Sequence, residues 1–475
     1  MAAIALGVVG TAIGGAIGGT ILGVSAATIG GMIGASVGSM VDSWLISQII
    51  GGDTQRIEGA RLDSARITGS GEGAVIPQVF GRMRIGGNVI WATDFREEII
   101  KRTERTGGGK GMGGGGGTTV EYTEYRYYAS FAVALCEGPV TGIGRIWADG
   151  DLLDLTGITW RFYPGTETQQ PDPFIQAKTG PETPAYRGTA YVVFEDVHLE
   201  RFGNRIPQLT FEVFRALDDP DTAEGAVKAV TIIPGAGEFV YATSKVTRNA
   251  GQGVSAPENF NALTTKSDFR VALDQLQAAV PGIQAVSLVV SWFGSDLRVG
   301  NCEIKPKVDQ ASKTTNIAWS VDGVTRGSAE VVSYISGRPA FGGTPADFAV
   351  REAIQECKAR GLRVTFYPFI MMDIPAGNSL PNPYSDNAGQ TGQPSYPWRG
   401  RITCSPAPGY AGTVDKTAAA ATQVNTFFTR TWGYRRFILH YAELCAQAGG
   451  VDTFLIGSEL RGLTQIRSAA GTYPA

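Results

Sequence analysis

The chain has 475 residues, 64 of them glycine, and a net charge of −3. That length allows roughly three domains and a large core. The charge balance excludes a basic footprint for nucleic acid, so no sequence-specific nucleic-acid binding is expected. Glycine far above the usual ~7% points to loop-rich β structure or an extended assembly part.

Residues 1–52 read as an apolar glycine-zipper helical segment. Glycine recurs at every fourth position in three tracks: Gly10-Gly14-Gly18, Gly15-Gly19-Gly23 and Gly30-Gly34-Gly38. No charged residue lies between Met1 and Asp42. Roughly 20 apolar residues cross a bilayer as one helix, so this stretch suits two short spans or one long helix in a bundle. Small residues at i, i+4 let helices approach closely in lipid. Each glycine costs a helix roughly 1 kcal/mol against alanine, which favours oligomers over a lone helix. Membrane contact through residues 2–50 and a buried zipper both stay open. A secretory signal is excluded, because a basic n-region is missing and the apolar stretch is too long.

Residues 53–215 form a β-rich region. Short β-like runs at 74–80 and 88–93 are punctuated by Pro77, Gly81 and Gly86-Gly87. KRTERTGGGKGMGGGGGT reads as a flexible loop tip, with the glycine loop at 103–118. It lacks the spacing and preceding strand of a phosphate-binding loop. A tyrosine-rich strand, a buried strand at 129–136 and a strand at 142–148 follow, and Asp149-Gly150 signals a hairpin. Strands are expected at 186–199 and 208–216. The tyrosine cluster at 122–128 reads as a half-buried sheet face or a sugar platform.

Residues 216–284 read as a second hub or linker region. They hold an acidic stretch, a β pair at 229–234 and 238–243, and a helix at 267–280 with Ser267 as N-cap. From 285 strands and helices alternate: strand 285–294, helix 345–361, strand 362–373, a long helix near 415–448 and strand 451–460. Wholly apolar strands alternating with helices imply a parallel sheet covered on both faces. The pattern suggests a (β/α) barrel with its site at the strand C-termini. A complete barrel takes about 250 residues, and 191 residues follow position 284. The barrel is therefore expected to be partial here.

Five cysteines (Cys136, Cys302, Cys357, Cys404, Cys445) have no CxxC spacing, and His198 and His440 do not complete a zinc site with them. They read as free thiols of a chain made in a reducing cytoplasm. No metal and no cofactor is expected. The chemistry candidates are acids at strand ends. Glu459, in FLIGSEL, and Asp373, ending LRVTFYPFIMMD, are the candidate catalytic residues, with Asp296 as a third carboxylate. Glycoside hydrolysis needs two carboxylates, ~5–5.5 Å apart for retention or ~6.5–9.5 Å for inversion. Trp292, Tyr367, Tyr384 and Trp398 are the aromatics that suit sugar stacking. The plainer reading is that these acids hold loops by ion pairs and caps. His440, inside a helix, reads as structural.

EGAVIPQVFGRMRIGGNVIWATDF, ASFAVALCEGPVTGIGRIWADGDLL and YRGTAYVVFEDVHLERFGNRIPQLTFEV resemble the siphophage tail-tip hub, or host-specificity, family. VVSWFG, GRPAFGGTPAD, VTFYPFIMMDIP and FLIGSELRGL resemble the barrel of the large gene transfer agent "megatron" baseplate proteins. The resemblance implies a multidomain α+β protein: the glycine-rich helical segment, β-rich tail-hub domains, then an incomplete (β/α) TIM-barrel-like domain at 285–475. It implies a homotrimeric hub closing the tail tube beside a distal tail protein, a second hub protein, a cell-wall peptidase and the tape measure protein. It places the chain in a virion or gene transfer agent particle at the tail tip, facing the host envelope and its glycans. Family members are longer, so this chain is expected to be part of a longer polypeptide. The family's barrel is glycoside-hydrolase-like, and only Glu459 falls on one of its carboxylate positions. A structural hub and penetration device, a sugar hydrolase and a free pore former are the competing functions.

Overall fold

The computed structural model describes residues 20–21, 24–25, 55–58, 73, 75–105 and 119–475, apart from 218, 236, 252 and 388. The zipper glycines Gly10, Gly14, Gly15, Gly18, Gly19, Gly23, Gly30, Gly34 and Gly38 lie outside these residues, as does 106–118 of the glycine loop. At the four described positions near the N-terminus the backbone is extended where the sequence predicts helix: Thr20–Ile21 pairs antiparallel with Val24–Ser25.

The β-rich region is two facing sheets. Its elements are β1 (Gly81–Gly86), β2 (Asn88–Ala92), β3 (Arg96–Arg105), β4 (Thr119–Glu137), β5 (Gly142–Ala148), β6 (Asp151–Leu152), β7 (Thr159–Tyr163), helix α1 (Pro173–Thr179), β8 (Thr189–His198) and β9 (Leu209–Arg215). One sheet is organised by β4, with β8 and β7 on one side and β2 and β3 on the other. The other runs β1-β9-β5-β6. Alternate residues meet between them: Phe131, Val133, Leu135, Val192 and Phe194 face Ile146, Phe211 and Val213. The tyrosine-rich and buried strands predicted separately are one 19-residue strand. The strand expected at 74–80 begins at Gly81 instead. Pro77 lacks a ladder N–H, and its carbonyl accepts from Glu137 N–H at 2.9 Å. The hairpin at Asp149-Gly150 forms, with both φ angles positive (52° and 98°) as a type I′ turn requires. Strand β3 continues to Arg105, three residues into the predicted loop.

The C-terminal region holds β10 (Ala229–Ile232), α2 (Asp268–Ala279), β11 (Ala285–Gly294), α3 (Asp347–Ala359), β12 (Arg363–Met372), α4 (Ala418–Thr429), α5 (Tyr434–Gln447) and β13 (Thr453–Phe454). Ser267 caps α2 as the sequence predicts, accepting from Arg270 N–H. The strands pair in parallel in the order β10-β11-β12-β13. Residues 238–243, predicted as a strand, turn instead. There the buried Tyr241 hydroxyl donates to Ile232 O at 2.9 Å and Val289 O at 2.8 Å, pinning the turn to the sheet.

Among the described residues one face of the sheet is fully buried, while on the other Val289 and Phe293 of β11 are buried and their neighbours only partly so. Val286, Leu288, Val290 and Trp292 of β11, with Val364, Phe366, Ile370 and Met372 of β12, pack beneath Val350 and Ile354 of α3 and Phe437 and Tyr441 of α5. Thr365, Tyr367, Phe369 and Met371 of β12 point the other way and are half-buried. The prediction of a sheet covered on both faces is thus corrected: apolar strand composition does not say which face a helix covers. Strand 451–460 shrinks to Thr453–Phe454, and the chain then bends at Ile456 and Glu459. Among the described residues no helix is long and apolar enough to cross a membrane.

The single helix predicted over 415–448 is two, broken between Arg430 and Gly433. Gly433 is the N-cap of α5 and suits the junction because it lacks a Cβ. A Cβ at Gly433 would lie 2.6 Å from Phe427 O and 2.8 Å from Arg430 O. Gly433→Ala is expected to destabilise the region by about 1–3 kcal/mol, as overpacking does. Urea unfolding followed by tryptophan fluorescence measures it, and an unchanged midpoint would mean that the break is set elsewhere.

Candidate functional site

The two predicted carboxylates stand in different surroundings: Asp373 directly follows β12, and Glu459 lies on the loop five residues after β13. Asp373 follows β12, its N–H bound to Gly294 O at the end of β11 (3.0 Å). Its carboxylate is buried and fully engaged. Lys307 Nζ lies 2.9 Å from Oδ2, Ser333 N–H donates to the same oxygen at 3.1 Å, and the Ser333 hydroxyl donates to Oδ1. Tyr396 OH meets Ser333 Oγ at 3.0 Å, and Lys307 also approaches Glu330 at 3.3 Å. A buried carboxylate held by an ammonium and two further donors is a satisfied ion pair.

Glu459 has a side chain 52% exposed and sits at φ +57°. A non-glycine residue held in this region is strained, and such strain clusters at functional sites. Trp398 Nε1 donates to Glu459 Oε2 at 2.6 Å, and Arg399 Nη2 lies 3.2 Å from the same oxygen. Arg399 is the buried support. Its guanidinium stacks 3.4 Å over Phe369 and donates to Ser458 O (3.1 Å), Ser458 Oγ (3.1 Å) and Tyr367 OH (3.2 Å). Burial pulls the Arg399 guanidinium below its ordinary value, while Glu459 and Tyr367 oppose that. Ser458 and Tyr367 are themselves hydrogen-bonded. The half-buried face of β12 therefore supplies the floor, and residues 396–401 link Asp373 to Glu459. The Trp398 ring lies against Gly400, where a Cβ would approach it to 2.4 Å.

Asp296 is buried against Arg298 (Nη2 at 2.7 Å) and Gln393 Nε2 (2.6 Å). Of the four candidate aromatics, Trp292 faces the helices, fully buried, and donates to Tyr441 OH at 3.0 Å. Tyr384 donates to Arg401 O at 2.7 Å and lies under that arginine. Tyr367 and Trp398 join the site. Arg399, Lys307, Ser333 and Tyr396 are its members that the sequence reading missed. Lys307 lies in a two-residue strand, Arg399 in a single 3-10 turn, and Ser333 and Tyr396 on loops, all too short or irregular for periodicity to mark them. Among the described residues no group of His, Cys, Asp or Glu side chains is arranged to hold a metal ion.

Residues 432–475 match the family described as GTA TIM-barrel-like domain. Among solved structures, a chain from the virion of a native gene transfer agent particle is 37% identical over 49% of this chain and 44% of that chain, with a TM-score of 0.27. The match thus spans less than half of the solved chain. A comparison with curated proteins gives no match. Helix α5, strand β13 and Glu459 all lie within the matched residues, and through them the chain is similar to the GTA TIM-barrel-like domain, the resemblance carried in its sequence by FLIGSELRGL.

Proposed function

We propose that the chain is a structural component of a gene-transfer-agent-like particle, acting as a tail-tip hub that closes the tail tube. The observation that carries this reading is the match of residues 432–475 to a gene transfer agent domain. The strand-end chemistry agrees with it, because Asp373 is spent on Lys307 and Ser333 and is not free to attack a sugar. On this reading 53–215 is the hub module, 216–284 the joint and 285–475 the barrel module. Three copies surround the tube axis, in contact with other tail-tip proteins and, on delivery, the host envelope. Residues 1–52 would plug the tube or enter a membrane, which liposome permeabilisation by a peptide of residues 2–50 tests. Mass spectrometry of density-purified tailed particles tests the whole reading. A few copies per particle are expected, and a chain found only outside particles overturns it.

A second reading, a glycoside hydrolase, is favoured by one feature: Glu459 is half-exposed on the loop after β13, beside the exposed Trp398. Removing a catalytic carboxylate lowers turnover by orders of magnitude. Glu459→Gln is expected to leave particle infectivity intact if the chain is structural, and to abolish glycan cleavage if it is an enzyme. Release of reducing ends from host surface glycan, by wild type but not by the variant, establishes the second reading.

A further inference from the structure

We infer that β1 is an acceptor edge for an extended strand of a partner polypeptide whose side chains alternate between acidic and apolar. Among the described residues β1 is hydrogen-bonded only to β9, so its other edge presents unpaired backbone groups. Alternate side chains of the strand divide sharply. Arg82 and Arg84 stand on the outer face, opposite Phe214 and Glu212. Met83 stands on the other face opposite the buried Val213, yet it is 55% exposed because no described strand lies beyond it. Phe80 and Ile76, just before β1, are also exposed apolar side chains.

The outer face is arranged for an anion. Arg82 donates to Glu212 Oε1 at 2.7 Å, and Arg145 donates to both Glu212 oxygens. Burial works to raise the Glu212 carboxyl, but these bonds bring it down to about 2, so it stays charged. Gly144 makes room for it, since a Cβ there would lie 2.4 Å from Glu212 Oε2. Arg84 is different. It stacks 4.0 Å over Trp147 and donates to Thr210 Oγ1 at 2.9 Å, with no carboxylate partner among the described residues. Three guanidinium groups thus face one carboxylate. Alternate residues of a strand repeat every ~6.6–6.8 Å, so a strand reading acidic-apolar-acidic would set its carboxylates against Arg82 and Arg84. Its apolar residue would cover Met83.

Charge also selects against other occupants. Pairing β1 with β1 of a second copy would set Arg82 and Arg84 against their own kind, which is unfavourable. Trp147 lies under Arg84 and Arg145, so it offers no free face to a base.

The full chain is titrated into fluorescein-labelled peptides and anisotropy is read. A (Glu-Val)4 peptide is expected to bind saturably and a (Lys-Val)4 peptide not to bind. Arg84→Glu, which leaves the Arg82 and Arg145 bonds to Glu212 in place, is expected to weaken (Glu-Val)4 by at least about tenfold. Arg84→Gln weakens it less, and circular dichroism checks that both variants fold. A (Glu-Val)4 peptide N-methylated at alternate residues should lose binding, because edge pairing needs its N–H groups. Absence of (Glu-Val)4 binding, or equal binding of the (Lys-Val)4 or N-methylated peptide, overturns the proposal. Equal binding of a 20-base-pair duplex also overturns it, by showing a general polyanion patch.

Discussion

Arg326→Met is expected to destabilise the C-terminal region by about 3–5 kcal/mol, the usual result of removing one partner of a buried ion pair. Glu238 is fully buried. Arg326 Nη1 donates to its Oε1 at 3.1 Å and Nη2 to its Oε2. Asp309 N–H donates to Oε1 at 2.8 Å, and Lys313 Nζ lies 3.6 Å from Oε2. Lys313 also meets Asp309 at 2.7 Å and Glu258 at 3.1 Å. The cluster ties the long segment between β11 and α3 to the turn that follows β10. Burial pushes the Glu238 carboxyl upward, and Arg326 is the chief force against it. Without Arg326 that carboxylate must take up a proton or draw in water. Adding Glu238→Gln removes the stranded charge, so the double variant is expected to be more stable than Arg326→Met alone. Urea unfolding of the four proteins of this cycle gives the coupling. A loss below about 1 kcal/mol for the single variant would mean that water already reaches Glu238.

How much of this was legible in the sequence depends on what held each element. Strands 142–148 and 285–294 fall where the sequence places them, because turn residues bound them and burial fills them. Helix α2 is readable from Ser267 and its apolar spacing. The break at Gly433 was not, since a lone glycine inside a helical pattern is usually tolerated. Here it marks the junction, where the carbonyls of Phe427 and Arg430 at the end of the preceding helix come close enough to leave no room for a Cβ. The site divides in the same way. Glu459 and Asp373 were found because strand ends are where barrel chemistry sits. Their opposite circumstances were not, because Lys307 and Arg399 come from segments distant in sequence from the acids they hold. Nor does an apolar run such as VTFYPFIMM show that Tyr367 and Phe369 face away from the helices.

Stability is expected to fall between about pH 6.5 and 9, and His440 is expected to account for about 3 kcal/mol of that fall. His440 lies within α5 with its Nε2 2.9 Å from Asp347 Oδ1 and its Nδ1 3.5 Å from Asp322 Oδ1. Asp322 also pairs with Arg436, and its N–H donates to Asp347 Oδ2 at 3.0 Å. Burial alone would lower the imidazole, but the bonds to Asp322 and Asp347 outweigh it and raise His440 from 6.5 to about 9. The folded state therefore holds its proton more tightly than the unfolded chain. This contribution is complete below pH 6.5 and is lost as pH rises through about 9. The charged ring joins α5, the start of α3 and the segment at 322, so its deprotonation loosens three elements together. The buried cysteines Cys302, Cys357 and Cys445, held up at about 12, also cost stability once the unfolded thiols ionise above about pH 8.5, but they do so equally in both proteins and cancel in the difference between them. Unfolding free energies of wild type and His440→Gln at pH 6 and pH 9.5 settle the matter. The gap between them should be large at pH 6 and nearly closed at pH 9.5. A gap that does not change with pH would mean that His440 acts through packing against Trp292 and Tyr441 rather than through its charge.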